Sequence, residues 1–309
     1  MELIRSLHNL NAQHQRCVTT IGAFDGVHRG HQAVLQQLID KGKELGLPSV
    51  VVVFEPLPRE YFSPLKAPAR LMSFREKFLA FKAMGIDRLL RIHFTSALRE
   101  MDARDFIKRV LVDLLHSKYI IVGDDLHFGR GRAGTFKELR AAGVRLGFDV
   151  VATSTFSLSE ARVSSTRIRQ ALEKSDFELA QNLLGRPYSI LGRVITGQQL
   201  GRQINVPTAN VQLRRIRSAL SGVYAVEVQI DKQVYIGVAN VGTRPTVDDS
   251  LKAILEVHLL DFDDNIYGKN IEVIFRNKIR EEKKFDSISE LKQQIYKDIE
   301  TGRQYFKSH

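Results

Sequence analysis

Thr20-Ile-Gly-Ala-Phe-Asp-Gly-Val-His-Arg-Gly-His31 joins two kinds of pattern. Before it, Cys17 to Ile21 is a short β-branched run, which predicts a strand. After it, Gly30 to Lys43 carries Val34, Leu35, Leu38 and Ile39 at helical spacing. The segment is therefore a strand-to-helix turn. Gly22 and Gly26 allow the backbone to turn tightly and to approach a ligand closely. A helix beginning there points free N–H groups and the positive end of its dipole at whatever the turn holds.

The same alternation continues outward. Val50 to Phe54, Tyr119 to Val122 and Asp149 to Ala152 read as further strands, and Ala103 to His116 as a helix with Phe106, Ile107, Val110, Leu111, Leu114 and Leu115 on its apolar face. Strands alternating with helices imply a parallel sheet covered on both sides, with ligands beyond the carboxyl ends of its strands. The pattern changes after Gly185-Arg186-Pro187. Ser189 to Ile195, Val223 to Ile230, Val234 to Val241, Ile254 to Phe262 and Ile271 to Phe275 are strands without helices between them. That succession predicts an antiparallel barrel or sandwich. Ser287 and Glu290 have capping-box spacing ahead of a last helix striped by Ile288, Leu291, Ile295 and Ile299. Two different domains are expected, 1–185 and 186–309.

The chain of 309 residues carries 46 Lys+Arg against 35 Asp+Glu, a formal charge of +11. With 43% hydrophobic and 26% charged residues it is a folding sequence, which excludes disorder and low complexity. Its longest apolar run is Val50 to Phe54, far short of the ~20 residues that span a bilayer. Met1-Glu2-Leu3-Ile4-Arg5 opens no secretory signal, and a lone cysteine, Cys17, forms no internal disulfide. A reducing, cytoplasmic location is the expectation, with no membrane partner. The basic residues are dispersed among acids, as in Arg280-Glu281-Glu282-Lys283-Lys284. Charge of that kind serves polyphosphate ligands or solubility as well as nucleic acid. The expected partners are small molecules rather than nucleic acid.

His28 and His31 are three residues apart, so both imidazoles can face one phosphate and stabilise charge developing on it. A zinc pair is the alternative, but no third ligand stands at a recognised spacing. The string resembles the His-x-Gly-His signature of the nucleotidylyltransferase superfamily. Val163-Ser-Ser-Thr-Arg-Ile-Arg169 resembles that superfamily's second signature, with Val163 in place of Ile. Ser164, Ser165 and Thr166 can cap a helix and bind phosphate oxygens, and Arg169 can grip a polyphosphate. The resemblance implies ATP binding by Gly22, Phe24, Asp25, His28, His31, Ser164, Ser165, Thr166 and Arg169, in a Rossmann-like domain.

Phe54-Glu-Pro-Leu-Pro-Arg59, with Phe62 beyond it, and Val122-Gly-Asp-Asp-Leu-His-Phe-Gly129 are similar to segments of the adenylyltransferase module of bacterial FAD synthetases. That likeness implies a flavin-binding wall of Phe54, Pro56, Pro58, Arg59, Phe62, Asp124, Asp125 and Phe128. Thr135 departs from the pattern, which has Asp there.

In the second half, Gly192-Arg-Val-Ile-Thr-Gly197, Gly201-Arg202 and Pro207-Thr208-Ala209-Asn210 form a cluster that is not a Walker A loop. Glycines at these positions let backbone approach phosphates. Thr208 and Asn210 offer uncharged oxygens to a hard cation such as Mg²⁺. The cluster, with Ser221-Gly-Val-Tyr-Ala-Val226, Gly237-Val-Ala-Asn-Val-Gly-Thr-Arg-Pro-Thr246 and Leu255-Glu-Val-His-Leu-Leu-Asp-Phe262, resembles the riboflavin kinase domain of the same bacterial proteins, an antiparallel β-barrel with a terminal helix. Asn205-Val206 stands where that family has Gly-Phe. The resemblance implies ATP contacts at Gly192, Gly197, Gly201, Thr208 and Asn210, Mg²⁺ on Thr208 and Asn210, and Glu256 as the base. Glu256 interrupts an apolar strand, and Ile254, Glu256 and His258 share one strand face. Residue pattern alone does not separate a base from a surface glutamate, and without the resemblance the surface glutamate is the preferred reading.

Taken together, the resemblance implies an enzyme that phosphorylates riboflavin to FMN and adenylylates FMN to FAD, with His28, His31 and Arg169 catalytic in the second step. Another nucleotidylyltransferase and a basic nucleic-acid-binding protein are the competing readings.

Overall fold

Ser49–Glu55 is buried along its first five residues, and so continuous an apolar run belongs inside a sheet covered on both faces. The computed structural model, which describes residues 1–153, 157–158, 161–197, 206–245 and 251–308, places it there. The chain forms two compact units. The first is Met1–Ala67 with Phe74–Ser164, the second Pro68–Ser73 with Ser165–His309.

The first unit holds a six-stranded parallel sheet of β1 (Glu2–Ile4), β2 (Val18–Ile21), β3 (Ser49–Glu55), β4 (Arg88–His93), β5 (Tyr119–Gly123) and β8 (Asp149–Thr153), in the order β1-β4-β3-β2-β5-β8. Two small hairpins accompany it: β6 (His127–Phe128) with β7 (Gly134–Thr135), and β9 (Ser157–Leu158) with β10 (Ala161–Arg162). The sequence predicts β2, β3, β5 and β8 but not β1 or β4. In β4 the arginines at 88 and 91 break the apolar run, yet Leu89, Leu90 and Ile92 are buried.

α1 (Arg29–Leu45) buries Leu35, Leu38 and Ile39, each such side chain contributing about 2 kcal/mol by leaving water. The helix expected over 103–116 is α-helical only over Ala103–Phe106. It continues as a wider π-helical segment, Ile107–Leu114, in which Leu115 N–H reaches the Val110 carbonyl. Its apolar face, Phe106, Ile107, Val110 and Leu111, joins Leu139 and Ala142 of the helix Phe136–Leu146 in one core. Thr135 caps that latter helix: its hydroxyl accepts from Glu138 N–H, and its own N–H donates to the Glu138 carboxylate at 2.9 Å. Thr135 is thus a working N-cap for that helix.

In the second unit, β11 (Ser189–Ile195), β12 (Ala209–Gln212), β13 (Gly222–Ile230), β14 (Gln233–Pro245), β15 (Leu251–Leu259) and β16 (Asn270–Arg280) close an antiparallel barrel in the order β11-β12-β15-β14-β13-β16. Closure removes both sheet edges, and it settles barrel against sandwich. The terminal helix, Ile288–Ser308, is held to the barrel by Arg280, whose guanidinium forms a two-pronged pair with the buried Asp298 at 2.8–3.0 Å. Ser287 Oγ accepts from Glu290 N–H at 3.1 Å. The Glu290 carboxylate turns to Lys283 and the Asp286 N–H, so half of the expected capping box forms.

Candidate functional sites

The chain leaves the sheet at Ile21 and Gly22 N–H still donates to the Val52 carbonyl. The next residues are held in unusual backbone. Phe24 and Val27 both have positive φ, 47° and 41°, a region that disfavours bulky and β-branched residues. Such strain concentrates where a loop is shaped to hold something. The Phe24 ring fills the inside of the loop, 5.1 Å from His31 and 5.6 Å from Phe81, and Asp25 is 3% exposed.

His28 caps α1: its Nδ1 accepts from His31 N–H at 3.3 Å, which leaves the proton of the neutral ring on Nε2. The two imidazoles stack, ring centroids 3.6 Å apart. Burial, the neighbouring His28 and the Lys77 ammonium hold His31 well below the usual imidazole range. His31 Nδ1 is buried with no hydrogen-bond partner among the described residues. A Cβ at Gly30 would sit 3.6 Å from the Val163 carbonyl, so the first signature packs against the residue just before Ser164. Gly30 and Val163, far apart in the chain, are therefore neighbours within the first unit.

Ser164, half-buried, ends the first unit. Ser165 opens the helix Ser165–Glu173 of the second unit, with Thr166 exposed and Arg169 half-buried. Within that unit Arg169 Nε donates to the Ala69 carbonyl at 2.6 Å.

The proline segment follows β3. Pro56 and Pro58 are half-buried, Arg59 is exposed, and Phe62 is 57% exposed on the short helix Pro58–Phe62. Phe54, Tyr61 and Phe62 all pack around Phe94, at 6.0, 5.2 and 5.8 Å. Tyr61 and Phe94 were not singled out in the sequence. Phe94 follows β4, the unpredicted strand, and only the register of β4 on β3 brings it beside Phe54. Asp124 and Asp125 are exposed, and Asp125 pairs with Arg162 at 2.9 Å. Phe128 is buried in the core, 5.7 Å from Phe106, rather than on the aromatic surface.

In the barrel, β15 alternates as expected. Ala253, Leu255, Val257 and Leu259 are buried, while Ile254, Glu256 and His258 are half-buried on the other face. Glu256 lies directly opposite Asn210 on β12 and opposite Asn240 on β14. Residues paired in this way point to the same side of the sheet, so Asn210, Glu256 and Asn240 form one polar row. Asn240 was not singled out in the sequence, since one amide in a β-strand carries no signal of its own.

His258 Nδ1–H donates to the Pro207 carbonyl at 2.8 Å and fixes the turn that carries Thr208. Gly197 is packed against the Asn210 carboxamide: a Cβ there would lie 2.6 Å from Oδ1 and closer still to Nδ2. Gly192 is buried within β11, against Val211 and Gln212 of β12. Gly201 and Asn205 lie outside the described residues. Thr208, Ala209, Val257 and Leu259, with the loop from Phe262 to Tyr267, line a cavity of about 340 Å³ in the barrel unit. That volume is within the range of small-molecule sites.

No cluster of three His, Cys, Asp or Glu able to cage a metal exists among the described residues. The donors present are the hard oxygens of Thr208, Asn210 and Glu256. They fit Mg²⁺ held largely by substrate phosphates and water.

A parallel-sheet unit with a strained strand-to-helix turn and an antiparallel barrel with a carboxylate-centred polar row are the two frames that the comparisons must account for. The sequence pattern of the FAD synthetase family matches residues 10–167, and that of the riboflavin kinase family residues 184–306. A bifunctional riboflavin kinase/FMN adenylyltransferase of Pseudomonas fluorescens is 52% identical over 98% of this chain and 97% of its own length. One from Haemophilus influenzae is 49% identical over the whole of both chains. The chain belongs to the bifunctional riboflavin kinase/FMN adenylyltransferase family. A crystal structure from Streptococcus pneumoniae, described as a macrolide-efflux protein, is 30% identical, with TM-score 0.76 over 97% of this chain and 98% of that one. In this chain no helix among the described residues is long and apolar enough to cross a membrane.

Proposed function

We propose that the chain makes FAD from riboflavin in two ATP-dependent steps, with residues 186–309 phosphorylating riboflavin and residues 1–185 adenylylating FMN. The observation that carries the reading is the pairing of Glu256 with Asn210 in the barrel, alongside the stacked His28–His31 pair in the other unit. In the first step Glu256 accepts the proton of the ribityl 5′-hydroxyl. That oxygen bonds to the γ-phosphorus of ATP, the bond to the β-phosphate oxygen breaks, and ADP leaves. Thr208 and Asn210 are the residues that would hold Mg²⁺, which when bound neutralises charge on the phosphates. Gly192, Gly197 and Gly201 are assigned to the ATP phosphates of this step.

In the second step an FMN phosphate oxygen bonds to the α-phosphorus of a second ATP and pyrophosphate leaves. FMN is already a competent nucleophile, so the task is alignment and charge stabilisation. His28 and His31 take that part in the first unit, with Gly22, Phe24 and Asp25 shaping their loop. Ser164, Ser165, Thr166 and Arg169 are assigned to the ATP phosphates. Phe54, Pro56, Pro58, Arg59 and Phe62, with Asp124 and Asp125, are assigned to the flavin, and Phe128 is left to the core that it packs in. Small molecules are the partners, and the cytoplasm, where these substrates are, is the location.

The test is to incubate the pure chain with riboflavin, ATP and Mg²⁺ and to follow flavins by chromatography. FMN should appear first and FAD after it. FMN without FAD would overturn the roles of His28, His31 and Arg169, and no product at all would overturn the substrate assignment.

A further inference from the structure

Lys77, on the helix Phe74–Met84, is 0% exposed, and neither step above uses it. An ammonium withdrawn from water is strongly disfavoured unless partners hold its charge. Its partners come from two different loops. Nζ donates to the Ala23 carbonyl at 3.2 Å, inside the turn between β2 and α1. It also lies 3.9 Å from Glu55 Oε2, where β3 passes into the proline segment. One helical turn further along, Phe81 meets Phe24 edge-on at 5.6 Å, so the same helix grips the first loop twice. Lysine suits this place: a single point charge on a long stem can reach a carbonyl and a carboxylate in different directions.

We propose that Lys77 is a positioning residue for FMN adenylylation, tying the loop of His28 and His31 to the segment that carries Phe54, Pro56 and Pro58. This rests on the reading of the first unit given above. The attacking phosphate of FMN and the α-phosphorus of ATP would be held by different loops, and in-line attack needs the two in register. The bland competitor is a core ion pair whose only task is to neutralise Glu55.

Three variants separate these ideas: Lys77→Met, Lys77→Met combined with Glu55→Gln, and Lys77→Arg. For each, kcat and KM for FMN-to-FAD conversion are measured beside riboflavin phosphorylation and melting temperature. Lys77→Met should lower kcat/KM for FAD formation about 100-fold, the usual scale of lost alignment. Riboflavin phosphorylation, carried by the other unit, should stay within about twofold, far below that scale. The double variant removes both buried charges, so it should regain melting temperature without regaining FAD formation. Lys77→Arg keeps a positive charge on a long stem at this place and should keep FAD formation within about tenfold of the original, well short of the loss in Lys77→Met.

Recovery of FAD formation in the double variant would overturn the proposal, as would normal FAD formation in Lys77→Met. If both Met variants unfold, Lys77→Arg decides: a loss as complete as theirs overturns it. Should the unaltered chain make FMN but no FAD, the adenylylation reading fails first and this role with it.

Discussion

His28 and His31 lie ring on ring, centroids 3.6 Å apart and planes 15° from parallel. Two imidazoles so placed repel if both are protonated, and burial adds to that cost at His31. His31, held below its ordinary range, takes up a proton less readily in the folded chain than in the unfolded one. The unfolded state therefore binds the extra proton first as pH falls below about 6.5. Stability contributed by neutral His31 is present above that pH and declines below it. Melting temperature followed from about pH 7.5 down to about pH 5 should fall, and His31→Asn should flatten the slope. Equal slopes in both proteins would mean that His31 is not the group responsible.

Glu256 sits between Asn210 and Asn240 on the half-buried face of its strand. Glu256→Gln keeps the shape and removes the base. FMN formation should fall at least ~100-fold, while FAD formation from supplied FMN stays intact. Equal loss of both activities would contradict the division of labour between the units.

Gly197 has no room for a methyl group beside the Asn210 carboxamide. Gly197→Ala should displace that amide and reduce riboflavin phosphorylation by about tenfold or more, with FAD formation from FMN unchanged. Steady-state kinetics of the two steps on one preparation reads both.

Asp298 is 3% exposed and receives two N–H groups of Arg280 and one of Gln294. Asp298→Ala leaves a guanidinium without its partner and should destabilise the barrel by about 3 kcal/mol. Arg280→Met combined with Asp298→Leu should recover much of that loss. Denaturant unfolding of the single and double variants checks the pair.

Much of the fold was legible because it follows from periodicity. The run from Val50 to Phe54 announced a buried parallel strand, and the helix-free second half announced antiparallel sheet. β4 was hidden by Arg88 and Arg91, which look like surface residues until Leu89, Leu90 and Ile92 are seen to face the core. The segment 107–114 has helical apolar spacing, but the backbone widens there to i−5 bonding, which spacing does not distinguish.

The candidate sites divide similarly. His28 and His31 could be paired in the sequence because three residues separate them on one turn. Gly30 and Val163, Lys77 and Glu55, Asn240 and Glu256 could not. Each pair is brought together by sheet register or by tertiary packing, and chain separation carries no record of that.

The order of the elements, the two kinds of domain and the family could all be read along the chain, because local pattern and motif chemistry are written in consecutive residues. Tertiary structure alone decided that the second sheet closes into a barrel, that Phe94 and Tyr61 join Phe54, and that Lys77 lies buried between two loops. Those outcomes depend on which strands and helices come side by side, a matter of packing geometry rather than of any residue's neighbours in the chain.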